Sequence, residues 1–259
     1  MEAIRFIASG KQAFFKNPET NGKDMSFSYD HIHKIAILGM LGRTLGLGGY
    51  TKRKLIIEAK KELDPDFDES TIPLEFYEQL HRLKVSIIPL AERGYFPRNI
   101  YSFNNSTGHA SKENGGNLVV RYKILEDVAW EIYVKNDGID KKLFEKLKDA
   151  LLNNRIEFEP LYLGQKKFPA TISDISIIEL EKPDRISKIS SLFIKHDVKL
   201  GLVKFEEKSP FLTSCTLPKA LNLEYGHVFD TFWFTNHTVK EVCSFEPFYS
   251  YEGKVLHFH

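Results

Sequence analysis

The order of periodic segments constrains this chain more than any single motif. Glu2 to Phe15 alternates imperfectly and is rich in Ile and Phe, which predicts a strand, and Asn17-Pro18 through Asn21-Gly22 reads as a polar loop. Ser28 then predicts an N-cap, with Ile32, Ile35, Ala36, Gly39 and Arg43 at helical spacing in a run from Tyr29 to Leu45. Two more helices are expected, Lys54 to Leu63 and Leu74 to Leu83, split by the acidic turn Asp64 to Glu69. Strands follow at Lys84 to Leu90, Leu118 to Glu126 and Ala129 to Val134. Asp140 caps a predicted helix from Lys141 to Leu152, and Ala170 to Glu181 closes the unit as a strand. Strand, helix, strand, strand, helix, strand is the split βαβ order of ferredoxin-like and RRM-type domains, an α+β fold.

Residues 1–182 are expected to hold this domain, with a helical insertion at about 52–83. After Lys182-Pro183, short β-rich stretches at Ser191 to Lys195, Val228 to Phe234, Val239 to Phe245 and Lys254 to Phe258 predict a smaller β-rich C-terminal domain over 183–259. Arg93 to Asn117 is dense in Asn, Ser and Gly and reads as a long loop, a class that is usually functional or disordered.

A formal net charge of +1 excludes a bulk polycation, yet the charge is segregated. Met1 to Lys61 carries 11 Lys or Arg against 5 acids, Glu62 to Leu83 carries 7 acids against Arg82, and Lys84 to Lys123 carries 6 bases against 2 acids. Two basic stretches flanking an acidic one fit a local anionic ligand. No window is long and apolar enough for a membrane span, which leads to the expectation of a soluble, cytoplasmic protein.

The first basic stretch holds Lys11, Phe15, Lys16 and Asn17, and further on Arg43, Gly46, Gly48, Gly49, Tyr50, Lys52 and Arg53. Bare backbone, cations and rings in this density suit a groove for single-stranded RNA. Because the glycines follow a helix, they are expected to face its negative end, which argues against a nucleotide P-loop. In the long loop Arg93, Tyr95, Phe96, Arg98, Asn99, Tyr101 and Phe103 alternate cationic, aromatic and amide groups, and Arg121 lies on the next strand.

Other chemistry finds little support. Asp64, Asp66, Asp68 and Glu75 have EF-hand spacing, but the sixth place is Glu69 rather than Gly, and a solvated acidic turn is expected. His31 and His33 read as lying on different faces of a helix, and His257 and His259 as sharing a strand face at a fraying end. Lys195-His196, with His109 and Lys112, is the one combination resembling a metal-free ribonuclease site. Cys215 and Cys243 have no metal-ligand spacing. No cofactor is implied.

Ile4 to Pro18 leading to Tyr29 to Tyr50, with Leu45-Gly46-Leu47-Gly48-Gly49, and then Pro160-Leu161-Tyr162-Leu163-Gly164-Gln165 before the last core strand, resembles the Cas-five family of CRISPR-associated RAMP proteins, in the version found in type I-B effector complexes. The resemblance implies a non-catalytic Cascade subunit that grips the 5′ handle of the crRNA and caps the backbone in RNA-guided antiviral DNA targeting. It implies a Cas-seven-type backbone subunit and a large, Cas-eight-type subunit as partners, target DNA met indirectly or near a thumb loop, and no membrane. By the same mapping Arg93 to Asn117 is a thumb with Arg98, Asn99 and Tyr101 at its base. The glycine segment, Tyr50 and Lys16 would line the handle groove, supported by Tyr162 and Gly164. The rival is a metal-independent endoribonuclease processing precursor crRNA, as in one subtype that uses a Tyr, a Lys and a His. Tyr50 matches that tyrosine, but Lys195-His196 lies outside the core domain.

Overall fold

The structure is a computed structural model describing residues 1–18, 25–105, 118–158, 160–201 and 209–259, with only the backbone of 104, 105 and 118. The first part runs β1 (Glu2–Ala13), β2 (Met25–Phe27), α1 (Lys34–Thr44), α2 (Tyr50–Leu63), α3 (Glu75–Leu80), β3 (Lys84–Pro89), β4 (Arg98–Asn105), β5 (Leu118–Lys135), α4 (Lys141–Leu152) and β6 (Thr171–Glu179). β1 lies between β5 and β6, antiparallel to both, and β3 joins the other edge of β5. Counting only these four, the order β6-β1-β5-β3 is the 4-1-3-2 arrangement of a ferredoxin-like sheet, and the fold is α+β.

Alternation decides which way β1 packs. Ile4, Phe6 and Ala8 point to a core shared with Leu38 and Leu41 of α1 and Leu147 and Leu151 of α4. Asp140 accepts the Leu143 amide at 3.0 Å and fixes the start of α4 as expected. The remaining strands are β7 (Phe193–Ile194), β8 (Val198–Leu200), β9 (Leu212–Leu221), β10 (His227–Thr235), β11 (Val239–Val242), β12 (Phe248–Tyr251) and β13 (Lys254–His257). Cys215, Leu217 and Phe232 of the β9–β10 hairpin join the core around α1. On the opposite sheet face Tyr249 and Leu256 of β12–β13 cover Ala3, Tyr133 and Ile178. There the buried Glu131 ties β1 to β13, accepting from Arg5 Nε at 2.6 Å and Lys254 Nζ at 2.7 Å.

Several expectations are corrected. The two strands foreseen around Glu126 are one 18-residue strand, because Asp127 absorbs the irregularity in a left-handed conformation (φ 47°) without breaking the ladder. Residues 98–105 are not loop but β4, paired with β5 from Arg98↔Leu125 to Asn105↔Leu118. The result is a β arm whose segment 106–117, with His109 and Lys112, lies outside the described residues. Ser28 is not the N-cap of α1: its Oγ accepts the Phe15 amide at 3.0 Å, and His33 caps instead, Nδ1 accepting the Ala36 amide at 3.4 Å. His31 and His33 therefore precede the helix. His257 and His259 do not fray; both are buried, and His257 Nε2 meets Asp197 Oδ2 at 2.8 Å. α2 starts at Tyr50 rather than Lys54, where the Tyr50 ring packs edge-on against Phe76 at 5.9 Å. β9 was not foreseen; its Pro218 is accommodated where the register with β10 shifts.

Candidate functional site

The early start of α2 changes the meaning of the glycine run. Gly46, at φ +78°, ends α1 as a left-handed residue, while Gly49 is the N-cap of α2. The glycines therefore face a helix N-terminus as well as a C-terminus. Beside them opens a cleft of about 920 Å³ between α1, α2, the end of β1 and the loop 160–168. Ala36, Gly39 and Met40 form its α1 wall and Leu55, Ile56 and Ala59 its α2 wall. Lys16, Arg43, Lys52 and Lys166 bring positive charge against the carboxylate of Glu157. The Arg43 guanidinium sits 5.1 Å from the Tyr162 ring centre and donates through Nε to the Pro160 carbonyl at 3.1 Å, which ties α1 to the Tyr-Leu-Gly loop.

Gly164, at φ +85°, lies so close to β1 that a Cβ would fall 2.1 Å from the Phe14 carbonyl oxygen. Phe14 N donates to Leu163 O at 3.1 Å in the same contact. Gly48 is not bare backbone: its amide donates to Glu75 Oε2 at 2.7 Å, and Lys52 Nζ reaches the same oxygen at 2.9 Å. The Lys52 and Gly48 hydrogen bonds hold the Glu75 carboxyl below its ordinary pKa. Gly49 differs, with open space around the position of a Cβ.

Of the residues singled out in the sequence, Phe15, Lys16, Arg43, Gly48, Gly49, Tyr50, Lys52, Tyr162 and Gly164 line this one cleft. Lys11, Asn17 and Gly46 do not line it. Arg53 turns away, donating to the Ile72 and Glu69 carbonyls, each at 2.8 Å, and packing over the Tyr225 ring. Arg98 pairs with Asp30 at 2.8 Å, while Asn99 and Tyr101 both donate to Glu126. Together with the exposed Arg121 they belong to the arm rather than the cleft. His196 lies in a separate shallow groove with Lys195, Asp230 and Trp233.

Sequence reasoning missed His33, His227, Phe158 and Lys166 in the cleft. The basic pair following the Tyr-Leu-Gly motif was a signal for Lys166, whereas His227 arrives on β10 from a distant part of the chain. The His33 and His227 rings lie 5.8 Å apart, and burial pushes His33 down to about 3, so it is neutral at pH 7. The EF-hand spacing dissolves in the structure: Asp68 accepts the Ser70 amide at 2.9 Å and Glu75 serves Gly48. Among the described residues no helix is long and apolar enough to cross a membrane.

No protein-family model and no curated protein matches the chain. A chain of a CRISPR RNA-guided surveillance complex superposes with a TM-score of 0.50, covering 92% of this chain and 91% of that chain at 10% identity. The fold is shared with a CRISPR surveillance-complex subunit. A CRISPR protein from Archaeoglobus fulgidus covers 99% of this chain and 98% of its own at 12% identity, with a TM-score of 0.49. A crystal structure of a Cas protein gives 92%, 94%, 14% and 0.39 for the same four measures. At such identities the likeness concerns the fold, and what the cleft binds rests on its chemistry.

Proposed function

We propose that this chain is a CRISPR effector-complex subunit of the Cas-five kind that holds the 5′ handle of the guide RNA in the cleft and does not cut it. The observation that supports this most is the convergence of Lys16, Arg43 and Lys166 with the Tyr50 and Tyr162 rings beside the first turn of α2. Amides in that turn have no intrahelical acceptor and favour a phosphate, while the rings offer stacking surfaces of any base sequence. In this reading the β4–β5 arm follows the RNA toward a Cas-seven-type backbone subunit, and a large, Cas-eight-type subunit docks alongside.

Ultraviolet crosslinking of the purified protein to a short single-stranded RNA tests the reading. Crosslinks are expected in peptides containing Tyr50 and Tyr162, and crosslinks elsewhere would contradict it. A second reading, a metal-independent endoribonuclease, draws on the adjacent His33 and His227. Burial pushes His33 down to about 3 and lowers His227 as well, which disfavours the imidazolium form that a general acid uses. Incubation with repeat RNA in EDTA is expected to leave the RNA intact, and cutting abolished by His227→Ala would favour the enzyme.

A further inference from the structure

The loop that carries Tyr162 and Gly164 into the cleft reaches in the opposite direction through its next lysine. Lys166 lines the cleft, while Lys167 Nζ sits 4.0 Å from the ring centre of Phe103, 4.7 Å from Tyr122 and 5.1 Å from Phe168. Phe103 belongs to β4 and Tyr122 to β5, so the ammonium rests on both strands of the arm at once. The platform extends outward, because Tyr101 stacks near Phe103 at 6.5 Å and 23°. It also extends inward, where Tyr122 meets Phe14 edge-on at 4.8 Å. Phe14 is the residue on which Gly164 presses, and its neighbour Phe15 lines the cleft. Among the ion pairs of the described residues Lys167 has no carboxylate partner, and burial lowers its pKa. A cation over several aromatic faces is attracted to each of them.

We propose that Lys167 is a positioning residue, a cation–π latch that holds the β4–β5 arm against the rim of the cleft, so that one strand of RNA is gripped by arm and cleft together. This rests on the RNA reading of the cleft, but the latch itself is testable without RNA. Lys167→Met keeps the apolar stem and removes the cation, and Lys167→Arg keeps the cation.

The measurement is hydrogen exchange of the arm amides, residues 98–103 and 119–125, in wild type and both variants. Without RNA, exchange in the arm is expected to quicken about fivefold in Lys167→Met, the equivalent of one modest cation–π contact, and to stay within about twofold of wild type in Lys167→Arg. Unchanged exchange in Lys167→Met overturns the latch. With a ten-nucleotide single-stranded RNA as probe, wild type is expected to slow in both the arm and segment 48–56, and Lys167→Met in segment 48–56 alone. An arm still slowed by RNA in Lys167→Met overturns the coupling. If the probe slows neither segment in wild type, the RNA reading falls, and the comparison without RNA alone decides the latch.

Discussion

Gly164 stands against Phe14 so closely that any Cβ on it would lie 2.1 Å from the Phe14 carbonyl oxygen. Two restrictions coincide there, a left-handed φ of +85° and the lack of space, and both require glycine. The contact locks the Tyr-Leu-Gly loop onto the end of β1, where Phe15 and Lys16 enter the cleft. Gly164→Ala is expected to cost about 2–4 kcal/mol, from the left-handed penalty together with displacement of backbone. Urea unfolding of the variant checks this, and an unchanged midpoint would mean that the loop does not rest on β1.

Gly48 and Gly49 are adjacent yet are expected to respond differently. A Cβ at Gly48 would meet Lys52 Cδ at 2.5 Å and Glu75 Oε2 at 2.7 Å, disturbing the pair that closes the junction. At Gly49 it would meet nothing within 4 Å, and φ is an ordinary −105°. Gly49→Ala is therefore expected to cost no more than about 1 kcal/mol, the loss at an N-cap position where glycine outranks alanine. Gly49→Leu is expected to keep the fold and weaken RNA binding about tenfold by filling the cleft. Chemical denaturation alongside RNA titration separates the two effects.

These glycines also show what the sequence could convey. The strand and helix order was legible because β1, α1, α4 and the closing strand carry complete local patterns, such as Asp140 before Phe144, Leu147 and Leu151. The glycine run was rightly read as ending a helix, but that it also opens α2 was missed, because the Tyr50 ring at the start of α2 packs on Phe76, a contact that no local pattern encodes. β4 was read as loop since its Asn and Ser residues have weak strand propensity, and its pairing with β5 supplies what the sequence lacks. The cleft was half legible: its glycines, rings and cations stood out, but Arg53 and Arg98 looked equally suitable. Only the tertiary structure directs those two to the Ile72 and Glu69 carbonyls and to Asp30.

Glu131 gives a prediction in pH. Burial alone would raise its carboxyl, but the hydrogen bonds from Lys254 and Arg5 outweigh it and hold the pKa below the ordinary value. A depressed folded-state pKa stabilises the fold fully above the unfolded value near about 4.3, and that contribution is lost as pH falls through the folded value. Glu131→Gln is expected to lower stability at neutral pH by about 2–3 kcal/mol, leaving two cations short of a partner. It should also flatten the loss of stability between about pH 6 and pH 3. Urea midpoints across that range check both, and parallel acid limbs would remove Glu131 from the account.

Binding of single-stranded RNA in the cleft between α1 and α2 through its cations and rings makes affinity depend on salt and on the Tyr162 ring. Fluorescence anisotropy of a labelled ten-nucleotide RNA across a potassium chloride series tests it most directly. Wild type is expected to lose affinity linearly in log salt, with Lys16→Ala and Lys166→Ala each reducing the slope by about 0.7. Tyr162→Leu is expected to weaken binding about tenfold at an unchanged slope. If the Lys16→Ala, Lys166→Ala double variant binds as tightly as wild type with the same slope, the RNA lies elsewhere and the account is wrong.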